Sequence, residues 1–423
     1  MTQIKLSAGW TFAALLAGLA LGWALSGGSA EAGAAAVAGP VGTVWLRALQ
    51  MTIVPLVAAL LVMGITRMIG TASAGPVARR TLLTIFALLF AGTVFAAFAT
   101  PALLEAFPIP GRAAEALAAE TVAPQTVPGI GAFFESLVAP NVIAAAAQTA
   151  MLPLVVFFVA LAVAITRLPE AQRDLMVGLF EALGNAMLTI IGWVLWLAPV
   201  GVFALALTVG LASGGGAFAA LAHYILLVAG LGFVVMLAGY LLGMVGGRVG
   251  PVRFARAMIP AQAVAISTQS SLASLPAMLQ SCRQLGVRET TADFVLPLAV
   301  AIFRATSPAM NLAVAIYVAK LTGVELTPAT IAAGAAVALV TTIGSVSLPG
   351  TISFVTSIGP IAMAMGVPIE PLALLVAVEM LPDVMRTLGN VTMDVAVAAT
   401  VDRNTESTGP ARIPVATSAD PTR

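Results

Sequence analysis

Six polar side chains sit in the last long apolar stretch of the chain, and their types suit the handling of a charged solute. Glu379, Asp383, Arg386, Thr387, Asn390 and Asp394 lie between about Pro371 and Val401. Their spacing of i, i+4, i+7, i+8, i+11 and i+15 puts them on one face of a 3.6-residue helix. The stretch is long enough to cross a bilayer, for which roughly 20 apolar residues suffice. Ionisable groups in hydrocarbon cost about 2.5–3.5 kcal/mol each on insertion scales, so this face must turn toward protein, water or ligand. Three acids against one arginine leave excess negative charge, which suits bound cations. The alternative is a purely structural ion-pair stripe, in which Asp383 and Arg386, three residues apart, neutralise each other.

Composition says what surrounds that helix. The chain has 423 residues, 60% of them hydrophobic and 9% charged, where a soluble domain carries about 25% charged residues. A polytopic membrane protein is expected. A net charge of +1 gives no footprint for nucleic acid. Cys282 is the sole cysteine and His223 the sole histidine. Within one chain, a disulfide and a thiolate metal cluster are excluded, and most metal sites and Ser-His or Cys-His catalysis lose their residues. His223 is read as a helix-end residue near the membrane interface. Lys5 precedes a long apolar run without a small-residue cleavage site, so no cleaved leader is expected.

Spans are predicted at about 8–25, 44–65, 81–104, 142–165, 176–211 and 221–245, with an Ala/Gly-rich connection after the first and a kink at Pro199 in the fifth. Arginines cluster after the second, fourth and sixth spans (Arg67, Arg79, Arg80; Arg167, Arg173; Arg248, Arg253, Arg256) and are scarce in the other loops. The positive-inside rule then puts the N-terminus in the cytoplasm, and the same frame returns the C-terminus there. Residues 105–138 read as a long Pro/Gly-rich acidic loop, and the tail, 404–423, as disordered.

The pattern changes after Arg256. Residues 257–283 are apolar but interrupted by Ser267-Thr-Gln-Ser-Ser-Leu-Ala-Ser-Leu-Pro276, and residues 327–362 by Thr341-Thr-Ile-Gly-Ser-Val-Ser-Leu-Pro-Gly-Thr-Ile-Ser353. Ser274-Leu-Pro-Ala277 matches Ser347-Leu-Pro-Gly350. Each interruption precedes one span with buried charge: Arg304 in the seventh (290–319), Asp383 and Arg386 in the eighth (366–401). Irregular backbone at membrane depth is tolerated only inside protein or along a cavity, so both segments are predicted to be hairpins that enter and return from opposite sides. Paired interruptions in corresponding halves point to a transporter site.

These residues resemble the dicarboxylate/amino acid:cation symporters, the relatives of glutamate and aspartate transporters. The likeness rests on Ser270-Ser271, the Ser347-Leu-Pro-Gly350 tip, and above all Asp383-Val-Met-Arg-Thr-Leu-Gly-Asn-Val-Thr-Met-Asp394. Leu46-Arg-Ala-Leu-Gln-Met-Thr-Ile-Val-Pro-Leu56 and Trp196-Leu-Ala-Pro-Val-Gly-Val-Phe-Ala-Leu205 are similar too. The resemblance covers about residues 8–403. It implies an all-α membrane protein with eight transmembrane helices plus two re-entrant hairpins in an inverted repeat, forming a homotrimer in the cell inner membrane. Helices in 8–66 and 138–212 would form the scaffold. Those in 81–104 and 219–246, with everything from 257 to 401, would form a transport domain sliding past it. Arg386 would clasp a substrate carboxylate, a group that suits its planar fork, and Asp383 an ammonium. Asn390 and Ser271, with backbone N–H groups of the first hairpin tip, would hold the main-chain carboxylate, with hydroxyls from Thr387 and Ser307; Ser270 and Arg304 would also belong to the substrate site. Ser347, Leu348, Pro349 and Gly350 would form the gate. Asp394 with Asn390 would bind a cation. No cofactor is implied beyond a coupling Na+ or H+.

The sequence departs from that family at the seventh helix. The family's Asn-Met-Asp-Gly-Thr motif reads Phe303-Arg-Ala-Thr-Ser307 here, so two sodium ligands are missing. Gln269 replaces a first-hairpin arginine, and Glu379 a usual aspartate. Fewer sodium sites are expected, with Arg304 standing in for a cation or pairing with Glu379 or Asp394. A unit charge 4 Å away is worth about 4 kcal/mol at an effective dielectric near 20, which makes the replacement electrostatically reasonable. Glu379 is a candidate proton carrier, since burial raises carboxyl pKa values. The expected function is cation-coupled uptake of an acidic amino acid, with C4-dicarboxylate or another organic anion as the alternative. An anion channel is a further class. An intramembrane serine hydrolase would lack a base for Ser271.

Overall fold

The computed structural model describes residues 8–72, 75–110, 135, 137–148, 150–213, 216–344 and 350–404. Every regular element among them is a helix. In order these are α1 (Ala8–Leu25), α2 (Glu31–Gln50), α3 (Ile53–Ala72), α4 (Pro76–Ala106), α5 (Val142–Ala147), α6 (Met151–Ile165), α7 (Glu170–Trp196), α8 (Ala198–Ser213) and α9 (Gly216–Val245). Then follow α10 (Pro251–Thr268), α11 (Leu275–Leu285), α12 (Glu289–Ile302), α13 (Ser307–Leu321), α14 (Pro328–Gly344), α15 (Gly350–Ala364), α16 (Glu370–Val378) and α17 (Met380–Asn404). Most of the predicted long loop (111–134), the second interrupted tip (345–349) and the tail beyond Asn404 lie outside the described residues.

Five helical segments are long and apolar enough to cross a membrane: 31–67, 77–106, 170–196, 218–245 and 289–321. The final charged segment fails that test because it is polar. Phe98, Leu226 and Leu83 on two of these segments are 65–75% exposed, an apolar surface that suits lipid contact.

Several predicted spans are broken, and proline explains where. A proline removes one backbone donor and its ring meets the carbonyl four residues earlier. The α2–α3 break at Met51–Thr52 precedes Pro55, the α5–α6 break at Gln148–Ala150 precedes Pro153, and the α7–α8 break at Leu197 precedes Pro199. The seventh span, read as continuous from the sequence, is interrupted at Phe303–Thr306 ahead of Pro308. The eighth, also read as one helix, is interrupted at Glu379 ahead of Pro382. The Ala/Gly-rich connection after the first span is another correction. It is helical from Glu31, because alanine is the strongest helix former, and the Glu31 carboxylate accepts the Gly27 N–H at 2.7 Å.

Packing sorts the helices. α1 lies along α8, which also packs on α2, while α3 packs on α6 and α7. The α1–α8 contact is very close. A Cβ at Gly22 would fall 2.4 Å from the Leu207 carbonyl, and one at Gly210 would fall 2.6 Å from that of Leu19; small residues permit such approach where apolar area gives no driving force. α17 is wrapped by α9, α10, α11 and α12, and α10 folds back on α11 as α14 does on α15. Every residue of α13 except Lys320 is buried, as is all of α16 after Glu370. The polar face of α17 therefore lies in the interior.

Candidate functional site

The helix break at Glu379 starts the site. Glu379 lies between α16 and α17 and is 1% exposed; Asp383, Arg386, Thr387 and Asn390 follow along α17 at 4–5%, and Asp394 is fully buried. The predicted polar face is thus real, and it faces protein.

Arg386 is the hub. Its Nη2 donates to Glu379 Oε1 at 2.5 Å, its Nη1 donates to Asn311 Oδ1 at 2.7 Å, and its Nε lies 3.3 Å from Asp383 Oδ1. Tyr224 from α9 donates its hydroxyl to the other Glu379 oxygen at 3.1 Å. The Asp383–Arg386 pairing read as the structural alternative is present, extended by a second acid, Glu379.

The second wall is the link between α12 and α13. Thr306 is fully buried; its backbone N–H donates to Asn390 Oδ1 at 3.0 Å, and its hydroxyl lies 2.9 Å from the same oxygen and 3.1 Å from the Arg386 carbonyl. A backbone donor freed by the helix break is thereby satisfied by a side chain from α17, as buried backbone groups require. The approach depends on Gly389, where a Cβ would fall 2.4 Å from Thr306 Cγ2. Arg304, on the same link, is close enough to Asp383 and Asp394 for their charges to interact.

Two buried groups in this region lack a hydrogen-bond partner among the described residues: the Ser307 hydroxyl and both carboxylate oxygens of Asp394. Buried polar atoms without partners are uncommon, and these are where the resemblance puts a substrate hydroxyl contact and a cation ligand. Among the described residues no cluster of three or more His, Cys, Asp and Glu could hold a metal ion. Thr387 spends its hydroxyl proton on the Asp383 carbonyl at 2.9 Å.

The first interrupted segment meets the site at its turn. Gln269 closes α10 in the left-handed region, φ +49°, which is costly for a residue with a side chain, and its amide reaches the Met380 carbonyl at 3.4 Å. Ser270 and Ser271 follow, half-buried; Ser270 Oγ accepts the Ala273 N–H at 3.3 Å. Gly350 begins α15, and Ser347, Leu348 and Pro349 lie outside the described residues. His223, expected near a helix end, lies in the first turns of α9 beside Phe107, the residue that closes α4. It is the eighth residue of α9, half-buried, with ring nitrogens 3.3 Å from the Tyr317 hydroxyl and 3.0 Å from the Phe107 carbonyl.

Sequence reasoning missed Thr306, Asn311 and Tyr224. Asn311 had a signal, as the lone amide in the apolar run Ser307–Leu321. Thr306 and Tyr224 had none that separates them from ordinary core residues.

Comparison with known proteins finds a family match over nearly the whole chain. A model of the sodium:dicarboxylate symporter family matches residues 8–404. The chain is 27% identical over 360 residues to a proton/glutamate-aspartate symporter of Escherichia coli (strain K12), covering 83% of this chain and 82% of that protein. It is 27% identical over 372 residues to a proton/sodium-glutamate symport protein of Bacillus subtilis (strain 168), covering 86% and 84%. It is 28% identical over 433 residues to a neutral amino acid transporter B(0) of Oryctolagus cuniculus, covering 91% and 77%.

Proposed function

Because the chain belongs to the sodium:dicarboxylate symporter family, we propose that it is a secondary active symporter of an acidic amino acid such as glutamate or aspartate, coupled to Na+ or H+. It works by an elevator motion as a homotrimer in the cell inner membrane, with both termini cytoplasmic. The helix pairs α10–α11 and α14–α15 are its re-entrant hairpins, the second being the gate, and the spans number eight. Arg386 receives the substrate carboxylate, with Asp383, Thr387, Asn390, Ser270, Ser271 and Ser307 around it. The observation that carries this reading is a guanidinium and three acids buried at two adjoining helix breaks, since ionisable groups at membrane depth mark solute pathways.

A second reading, a C4-dicarboxylate or another organic anion, is favoured by Asp383. Its carboxylate already faces Arg386 Nε at 3.3 Å, which leaves less of it for an ammonium. Arg304, within charge range of Asp383 and Asp394, takes over the work of a sodium ion in either case.

Uptake of labelled L-aspartate into proteoliposomes tests these readings. Competition by glutamate but not by succinate is expected for the first, and the reverse for the second. Steep sodium dependence, with a Hill coefficient of about three, overturns the Arg304 assignment. Transport of none of these anions overturns the anion reading itself.

A further inference from the structure

A groove of about 710 Å³ runs between α4 and α9, apart from the charged cluster. Residues 95–107 of α4 form one wall and residues 223–234 of α9 the other; both helices also pack on α13. His223 is the sole polar residue among the described residues of the lining, which include no acid, lysine or arginine. Both of its ring nitrogens already face protein oxygens, the Tyr317 hydroxyl at 3.3 Å and the Phe107 carbonyl at 3.0 Å. The groove is open along one side, since Leu226 and Phe107 in its walls are 74% and 64% exposed.

We propose that this groove is a binding site for the acyl hydrocarbon of a membrane phospholipid. The proposal goes beyond the symporter reading and does not depend on the anion site. Its first support is position. Both walls belong to segments long and apolar enough to cross a membrane, 77–106 and 218–245, so the open side faces lipid. The groove starts at Phe107, which closes α4, and ends near the middle of both helices. The wall from Phe95 to Phe107 spans about 18 Å at about 1.5 Å per residue. One leaflet holds about 15 Å of hydrocarbon, half of a core roughly 30 Å thick. The groove thus runs the depth of one leaflet.

Its second support is what the lining accepts. Ordered water needs two to four polar partners, and the lone polar side chain is already engaged. Another helix is too thick: about 10 Å across, it would fill about 1,400 Å³ over the same length, twice the groove. A flexible hydrocarbon chain fits, and it regains the dispersion contacts that an unfilled wall forfeits. Small residues make the room. Ala99 and Ala102 stand on one wall and Gly230 on the other. A Cβ at Gly230 would meet nothing within 4 Å, whereas two residues on, at Gly232, it would fall 2.9 Å from Met310 Sδ. Gly232 is needed for close packing; Gly230 weakens the helix relative to alanine and keeps the groove open. The groove also adjoins the charged cluster. Leu227, in its wall, lies three residues after Tyr224, which donates to Glu379 and stacks edge to face on Tyr317 at 5.4 Å. Hydrocarbon packed on Leu227 supports the turn of α9 that carries Tyr224.

Photolabelling of the purified full-length protein in lipid nanodiscs tests the site. The probe is a phosphatidylethanolamine carrying a diazirine on one acyl chain, and labelled peptides are read by mass spectrometry. Label should concentrate in 95–107 and 223–234, above that on Leu83, Phe86 and Phe90, which are exposed on the other half of α4. Excess unlabelled phospholipid with full-length chains should remove the groove label, and one with short chains should not. Gly230→Leu fills the groove from α9 and Ala102→Leu from α4; each should lose the groove label and keep that at Leu83–Phe90, and either variant serves if the other fails to fold. In detergent, full-length phospholipid should raise the thermal midpoint of the wild type saturably and of the variants less, because a ligand of the folded state stabilises it. Even labelling of the whole apolar surface overturns the proposal, as does groove label that survives in a folded variant. Displacement of the probe by free fatty acid but not by phospholipid overturns it too.

Discussion

Gly389→Ala tests the joint between the two helix breaks. A Cβ at Gly389 would lie 2.4 Å from Thr306 Cγ2, while its next neighbour, the Gly232 carbonyl, is at an ordinary 3.4 Å. Only Thr306 obstructs the methyl group, and relief requires it to retreat by about 1 Å to reach normal contact. Its hydroxyl lies 2.9 Å from Asn390 Oδ1 and 3.1 Å from the Arg386 carbonyl, and its N–H is 3.0 Å from Asn390 Oδ1. A retreat of that size takes these contacts past the length of a hydrogen bond. Overpacking costs about 1–3 kcal/mol, and buried groups left unpaired cost about 1–3 kcal/mol each. Against this, alanine gains about 1 kcal/mol of helix propensity over glycine. With one group left unpaired the balance is a loss of about 1–5 kcal/mol and a site no longer held in register. Thr306→Ser removes the obstructing methyl and keeps the hydroxyl, so Gly389→Ala combined with Thr306→Ser should recover both stability and uptake. Thermal unfolding in detergent and proteoliposome uptake of L-aspartate are the measurements. Normal behaviour of Gly389→Ala alone, or a double variant no better than the single, refutes this account of the joint.

Two further predictions concern charge. Arg386→Met should destabilise the protein by about 3–5 kcal/mol, because it strands Glu379 and Asp383 without their buried partner; adding Glu379→Gln should recover part of that loss. Strict additivity of the two in thermal unfolding would show that they do not share a charge cluster. Asn390→Asp retains an oxygen for Thr306 but loses the amide donors and adds negative charge. Anion affinity should fall about 10- to 100-fold, the worth of a hydrogen bond to a charged group, and calorimetry showing unchanged anion affinity would remove Asn390 from the substrate shell.

The polar face of the last helix was legible because polarity stands out against an apolar background. Arg386, Asp383 and Glu379 could not be exposed to lipid, and they are buried together. The helix breaks were harder to read. Pro55, Pro153, Pro199, Pro308 and Pro382 each follow a break, yet Pro40, Pro101, Pro260, Pro297 and Pro360 lie inside continuous helices. A proline only offers a break; whether the chain takes it depends on what receives the freed backbone groups. At Thr306 the receiver is Asn390, 84 residues away in sequence, and no local pattern could announce it. The Ala/Gly-rich segment from Glu31 was misread for the opposite reason. Its glycines suggested a loop, but its alanines and the Glu31–Gly27 hydrogen bond decide the matter.

The partners of Asn390 also bear on what its side chain can do. Its oxygen already accepts from the Thr306 N–H and faces the Thr306 hydroxyl, so a cation taking that oxygen must strip two donors from a buried link. The amide N–H2 has no such commitment to Thr306, and N–H2 is what a carboxylate requires. Asn390 is therefore better placed to hold an anion than a cation. Asp394, with both oxygens lacking hydrogen-bond partners among the described residues and Arg304 within charge range, does not need Asn390 to offset its charge. The substitution of Arg304 into the α12–α13 link and the use of the Asn390 oxygen as a backbone acceptor point the same way. On the proposed reading, Arg304 supplies positive charge that a metal ion would otherwise deliver.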